Sequence, residues 1–345
     1  HKSVSKGSVL NNMEANFVNQ SAPKKIRRIG VLTSGGDAPG MNAAIRSVVR
    51  TCIQYGVTPV GIHRGYNGLI NSDVVELDAR AVNGITSRGG TMLYTARCPE
   101  FKTKEGVMKG VNACRYLGID GLIAIGGDGT FRGLEDLAAN GVNAIGIPGT
   151  IDNDIACSHY SIGFDTAANT AIEAIDKLAD TMQSHERCSV VEVMGHNAGH
   201  LALYCGLACG AAAILIPEKP FDFEKDIIEK IRESHYNGKH HFLIIVAEGV
   251  GHTAEIADKI REMTGVETRV TIIGHIQRGG SPSARDRVMA SRMGHYAVMR
   301  LLEGKSNVIV CYRDSQLCDI PINEALQMTK DLDSYMYKVA CDIAI

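Results

Sequence analysis

The 345-residue chain has no excess of charge of either sign: 36 basic side chains stand against 38 acidic ones, a formal net charge of −2. That balance leaves no electrostatic footprint for a polyanion, so neither nucleic acid nor an anionic membrane is an expected partner. No apolar run reaches the ~20 residues that cross a bilayer. The ten cysteines form no Cys-x-x-Cys pair and no regular framework, which argues against a disulfide scaffold and against a cysteine-clustered metal. Cys52, Cys205 and Cys209 fall in apolar runs, where buried free thiols are common. With no secretory-type segment, a reduced, cytoplasmic setting is the expectation. The Walker pattern Gly-x4-Gly-Lys-Ser/Thr is missing too, so nucleotide phosphates would have to be held another way.

What is present is apolar material for more than one core. Hydrophobic residues make up 45% and charged residues 21% of a length that suggests about two domains. Residues 1–25 are polar and aperiodic and read as a tail outside the fold. From Ile26 onward short apolar runs alternate with helical patterns. IRRIGVLTS, GLIAIGG, NAIGIPG and the runs at 189–194, 212–217, 241–248 and 269–274 read as strands. Helices are expected at Met41–Tyr55, Phe131–Asn140, 165–184, 222–236 and 253–264. This alternation predicts an α/β protein with mainly parallel sheets, and more units than one sheet holds.

Ligands of open parallel sheets gather at the carboxyl ends of strands, and four polar, glycine-bearing turns stand there. TSGGDAPGMN (33–42) offers backbone N–H groups and a helix N-terminus to a phosphate. IGGDGT (125–130) sets Asp128 between glycines, suited to Mg²⁺ and equally to a turn or a helix N-cap. PGTIDNDI (148–155) presents Asp152 and Asp154 beside Thr150, suited to taking a proton from a hydroxyl, although Asx turns use the same residues. GHIQRGGSPSARDR (274–287) brings His275 and Arg278 as donors to an anion, or forms a solvated loop. Phosphate cradle, metal carboxylate, base and anion clamp together describe phosphoryl transfer to a phosphorylated acceptor.

These segments, with RGGTMLYTARCPEF, SIGFDTAANT, SHERCSVVEVMG and IIVAEGVG, resemble the bacterial-type ATP-dependent 6-phosphofructokinases over about residues 26–340. The resemblance implies two Rossmann-like three-layer domains with the active site in the cleft between them. It implies an ATP-binding domain of residues 26–161 and 277–329, a fructose 6-phosphate domain of 162–276, and a C-terminal segment, 330–345, packing back on the body. Gly36, Arg97, Cys98, Gly127, Gly129 and Thr130 would line the ATP site, with Asp128 serving Mg²⁺. Asp152 would be the general base, with Thr150, Ile151 and Asp154 beside it and Arg97 bridging the transferring phosphates. Met194, Gly195, His196 and Glu248 would meet the sugar. His275, Ile276, Gln277 and Arg278 would hold its phosphate end, with Arg187 and Arg269 from a neighbouring subunit of a homotetramer.

Pyrophosphate-dependent relatives carry Asp at the position of Gly129 and Lys at that of Gly149, so the two glycines imply ATP as donor. Kinases of NAD or diacylglycerol share GGDGT but lack PGTIDND and the HIQRGG clamp. A catalytically weakened regulatory paralogue is the remaining alternative, because His196 replaces the arginine usual after Met-Gly. An imidazole cannot reproduce a bidentate guanidinium. The family's effector site looks eroded: Arg46, Arg50 and Lys239 match its basic positions, whereas Ala79, Ala179, Asn237 and Ala212 replace charged ones.

Overall fold

A computed structural model describes residues 26–344 of the chain; the tail expected at 1–25 lies outside the described residues. The chain first lays down β1 (Arg28–Thr33), β2 (Thr58–Ile62), β3 (Val74–Glu76), β4 (Gly121–Gly126) and β5 (Ala144–Pro148). It then crosses to β6 (Cys188–Val193), β7 (Ala213–Leu215), β8 (Phe242–Ala247) and β9 (Thr268–Ile272), and returns for β10 (Val308–Arg313) and β11 (Gln316–Pro321). Two sheets result among the described residues, ordered β11-β10-β5-β4-β1-β2-β3 and β7-β8-β6-β9. Only the edge strands β3 and β11 pair antiparallel. Strands β4, β5 and β8 are buried along their whole length. Helices cover both faces of a parallel sheet, so its strands read as unbroken apolar runs.

The helices are α1 (Met41–Gln54), α2 (Gly65–Ile70), α3 (Lys104–Tyr116), α4 (Asp128–Ala139), α5 (Phe164–Ser184), α6 (His200–Ala208), α7 (Glu229–Tyr236), α8 (Thr253–Thr264), α9 (Ala284–Leu302), α10 (Ile322–Ala325) and α11 (Ser334–Asp342). Helix α1 packs along α9 under the first sheet, while Phe242, Ile244 and Ile260 sit in a separate core against the second. Among the described residues no helix is long and apolar enough to cross a membrane. Helix α4 starts at Asp128 rather than near Phe131, because Gly127 serves as its N-cap.

Strand order locates the crevices. In the first sheet the chain runs one way from β1 and the other way from β4, so the switch lies between these neighbours. In the second, β8 and β9 flank β6 on opposite sides. Binding crevices open outside the carboxyl ends of strands at such points. The polypeptide passes between the sheets twice, after β5 and after β9, and each passage begins at one of these ends.

Candidate active site

Three loops meet at the first crevice because their strands are neighbours. Ser34 N donates to Ile125 O at 3.0 Å, tying the end of β1 to β4, and Gly149 N donates to Gly126 O at 2.9 Å, tying β5 to β4. Asp128 therefore stands in the first turn of α4, where the helix dipole favours an anion alongside the free N–H groups. The turn is braced from behind: Tyr66 donates its hydroxyl to Thr130 O, and its ring stacks on Phe101 with centroids 4.1 Å apart. The segment leading to Arg97 and Cys98 is fastened to the first loop by Thr95 Oγ1, which donates to Gly35 O at 2.7 Å. Arg97 itself is exposed.

The acid loop is bent by its own hydroxyl. Thr150 Oγ1 donates to Asp152 Oδ2 and accepts from Asp152 N, both at 3.2 Å, and Thr150 N donates to Ser161 Oγ at 3.0 Å. The other carboxylate oxygen, Asp152 Oδ1, is buried without a hydrogen-bond partner. Burial first, and then the neighbouring Asp154, push the Asp152 carboxyl up to about 6; Arg278 and the Thr150 hydroxyl pull against them. Asp128 is also raised, by burial first and then by Asp154, with Arg132 opposing. Asp154 thus acts on both Asp128 and Asp152, and it is Asp152, raised to about 6, whose second oxygen lacks a partner.

The second crevice faces it. Glu248, just past β8, accepts from Gly195 N at 3.2 Å and from His196 N at 2.5 Å, which fixes its carboxylate at the end of β6. Gln277 is fully buried and accepts from Met194 N at 2.9 Å, so the turn Gly274–Arg278 is locked to the same strand end. His275 and Ile276 stand exposed on that turn. Arg278 reaches across to the first sheet: a methyl group on Gly36 would lie 1.9 Å from Arg278 Nη1. The arginine packs on the glycine of the 33–42 turn while facing Asp152, so the two crevices form one cleft.

Arg187 and Arg269 do not join this cleft within the chain. They flank the amino ends of β6 and β9, where Arg187 Nε and Arg269 Nη2 both donate to Glu267, at 2.8 and 2.5 Å. Met194 and Gly274 lie at the opposite ends of the same strands, seven residues from Arg187 and five from Arg269, and thus about 23 and about 17 Å away along the sheet. Among the effector candidates, Arg46 and Arg50 lie on α1 against the first sheet, whereas Lys239 leads into β8 of the second. The two glycines expected to select the donor, Gly129 and Gly149, also differ. A Cβ on Gly129 would meet open space, while one on Gly149 would meet Ile125 Cγ2 at 2.9 Å. Gly129 thus leaves room in the cleft; Gly149 leaves room only for a core side chain.

Two residues of this region are not among the sequence candidates, although the first lies inside the 274–287 motif. Asp286 is fully buried at the start of α9, and Lys330 donates to Ser158 O at 2.9 Å from the C-terminal segment.

Comparison with known proteins points to one family. The phosphofructokinase family model matches residues 28–301. The chain is 55% identical over 315 residues to the ATP-dependent 6-phosphofructokinase of Clostridium tetani, which covers 91% of this chain and 98% of that one. It is 53% identical, with the same coverage, to the enzyme of that name from Clostridium botulinum. Among solved structures it is similar to the phosphofructokinase of Saccharomyces cerevisiae, with a TM-score of 0.83 at 34% identity. That match covers 92% of this chain and 48% of the yeast one, so this chain spans about half the yeast chain's length.

Proposed function

Because the chain belongs to the phosphofructokinase family, we infer that it is an ATP-dependent 6-phosphofructokinase, transferring the γ-phosphoryl group of ATP to the 1-hydroxyl of fructose 6-phosphate. The observation that carries this reading is Asp152: a carboxylate raised to about 6, with a buried unpartnered oxygen, in a cleft bounded by a phosphate cradle on one side and Arg278 on the other. Residues 26–161 with 277–329 form the nucleotide half in this reading. Residues 162–276 form the sugar-phosphate half, and the C-terminal segment packs against the body over its described residues, 330–344.

The steps follow from these groups. Asp152 accepts the proton of the attacking hydroxyl, and its raised pKa brings its basicity towards that of a neutral-pH base. Glu248, held by two backbone N–H groups, orients the sugar, while His275 and Arg278 fix its phosphate. Arg97 and the α4 N-terminus stabilise charge on the transferring group. No group of three or more carboxylate, His or Cys side chains among the described residues could chelate a cation alone. Mg²⁺ therefore fits as a companion of the nucleotide phosphates, with Asp128 as the protein's carboxylate, where it would neutralise phosphate charge. Open space at Gly129 supports ATP over pyrophosphate.

A coupled assay with fructose 6-phosphate, Mg²⁺ and ATP tests the function, and the same assay with pyrophosphate tests the donor. Turnover with pyrophosphate alone would overturn the reading. The separation of Arg187 and Arg269 from the cleft supports a shared site in a homotetramer, and a monomer by light scattering at micromolar concentration would count against it. Loss of effector-site charges predicts weak response to ADP and phosphoenolpyruvate, since each charge-assisted hydrogen bond lost is worth about 1.5–3 kcal/mol. Strong activation by sub-millimolar ADP would exclude that.

His196 sits at φ 53 on the turn after β6, exposed beside Glu248. Restoring a forked donor there, His196→Arg, is expected to raise kcat/KM for fructose 6-phosphate by about tenfold, the value of one charge-assisted bond. An unchanged kcat/KM would show that the imidazole already fulfils the role.

A further inference from the structure

Each of the three aspartates of the cleft is coupled to a basic side chain: Asp128 to Arg132, Asp152 to Arg278, and Asp154 to Lys330. The first two cations stand in or beside the turns that carry the chemistry. The third comes from the C-terminal segment, beyond the residues 28–301 that match the family model.

Lys330 reaches the cleft from behind. Its Nζ donates to Ser158 O at 2.9 Å. Ser158 is fully buried and is the knot of the acid-bearing loop: its hydroxyl donates to Tyr160 O at 2.7 Å and accepts from Tyr312 N at 2.9 Å. His159 N adds a bond to Tyr312 O at 2.9 Å. The loop from Asp152 to Tyr160 is thereby clamped between the end of β10 and the segment that leads into α11, whose N-cap is Asp333. The charged and titratable groups around the ammonium are Asp154 and Cys157 from this loop and His200 from α6, itself coupled to Glu218.

We propose that Lys330 is a positioning residue of the active site: bonded to Ser158 O and coupled to Asp154, it holds the acid loop in place and supplies the third positive charge of the three-carboxylate cluster, so that the C-terminal segment is part of the catalytic unit. Without it, the counter-charge left to Asp154 is His200, whose charged form burial disfavours, and Asp152 becomes harder to keep ionised. Burial lowers the Lys330 ammonium to about 8, with Asp154 and Cys157 opposing, so wild-type enzyme should lose this charge at mildly alkaline pH. The proposal rests on the reading of Asp152 as the base.

Two variants separate charge from hydrogen bonding. K330Q can still donate to Ser158 O but carries no charge; K330R keeps a charge that does not titrate in this range. In the coupled assay K330Q is expected to lose about tenfold in kcat with both KM values within about threefold, and its acid limb should move to higher pH. K330R should recover most of the lost kcat and shift the alkaline limb near pH 8 upward. Wild-type kcat and an unmoved acid limb in a folded K330Q would overturn the proposal. If thermal melting shows K330Q unfolded, the comparison of wild type with K330R decides, and identical alkaline limbs would overturn it. Absence of activity in the wild type itself would instead strike at the functional reading.

Discussion

Asp152→Asn is expected to lower kcat about 10³-fold, within the range that removal of a general base produces, while KM for both substrates moves by less than about threefold. The amide keeps the shape of the carboxylate and still accepts from Thr150 Oγ1, so the loop has no reason to rearrange. What disappears is a site for the hydroxyl proton. The same substitution should not cost stability. A carboxyl whose folded pKa lies above its unfolded value is stabilising to protonate, so its ionised form carries a penalty that is absent below pH ~4 and complete above the folded value. At pH 7.5 the asparagine variant removes that penalty and should melt no lower than the wild type. In the wild type, kcat/KM should fall as pH drops through about 6, where Asp152 takes up its proton. A variant with kcat within tenfold of wild type, or an acid limb near pH 4, would remove Asp152 from the base's role.

The parts of this design that could be read from sequence are those fixed by local pattern. Strands β1, β4 and β5 and the turns after them declare themselves, because burial on both faces demands unbroken apolar residues and close backbone approach demands glycine next to the acids. Strand β2 is harder to see: Pro59 and Gly61 interrupt TPVGI, although its neighbours bury it. The β10–β11 hairpin turns on Asp314 and Ser315, both at positive φ (48 and 64), a pair with a weaker turn signature than Asn-Gly. Within the site, Asp152, Asp128 and Arg278 are legible from their turns. The cation behind Asp154 is not, since Lys330 approaches from a segment 176 positions later (330 − 154) and only the packing of α11 and β10 brings it there. Nor does spacing reveal that Arg278 lies on Gly36, a contact made across the two sheets.

The residue whose loss should harm stability most lies inside the 274–287 motif, yet nothing in that motif marks it as buried. Asp286→Ala is expected to destabilise the protein by about 3–5 kcal/mol, the cost typical of breaking a buried hydrogen-bonded charge. Asp286 is fully buried, and its carboxylate accepts four bonds: from the Tyr160 hydroxyl, Gly163 N at 2.7 Å, Thr166 N at 2.8 Å and Thr166 Oγ1 at 2.5 Å. Thr166 Oγ1 in turn accepts from Ser283 N at 2.9 Å, and Ser283 Oγ donates to Asp165 at 2.6 Å while capping α9. One carboxylate therefore joins the N-terminus of α5 to that of α9, which are the ends of the two passages between the sheets. Alanine would leave four donors facing a void, each unsatisfied group costing about 1–3 kcal/mol before any relaxation. With the entropy of unfolding scaling with chain length, the melting temperature should fall by about 4–7 °C. Asp286→Asn keeps one acceptor but turns an NH₂ group towards N–H donors, so it should fall between alanine and wild type. Because both passages also carry cleft residues, Thr150 to Asp154 on one and His275 to Arg278 on the other, the alanine variant should show a raised KM for fructose 6-phosphate well below its melting point. A melting temperature within 1 °C of wild type would mean that the two passages hold together without this carboxylate.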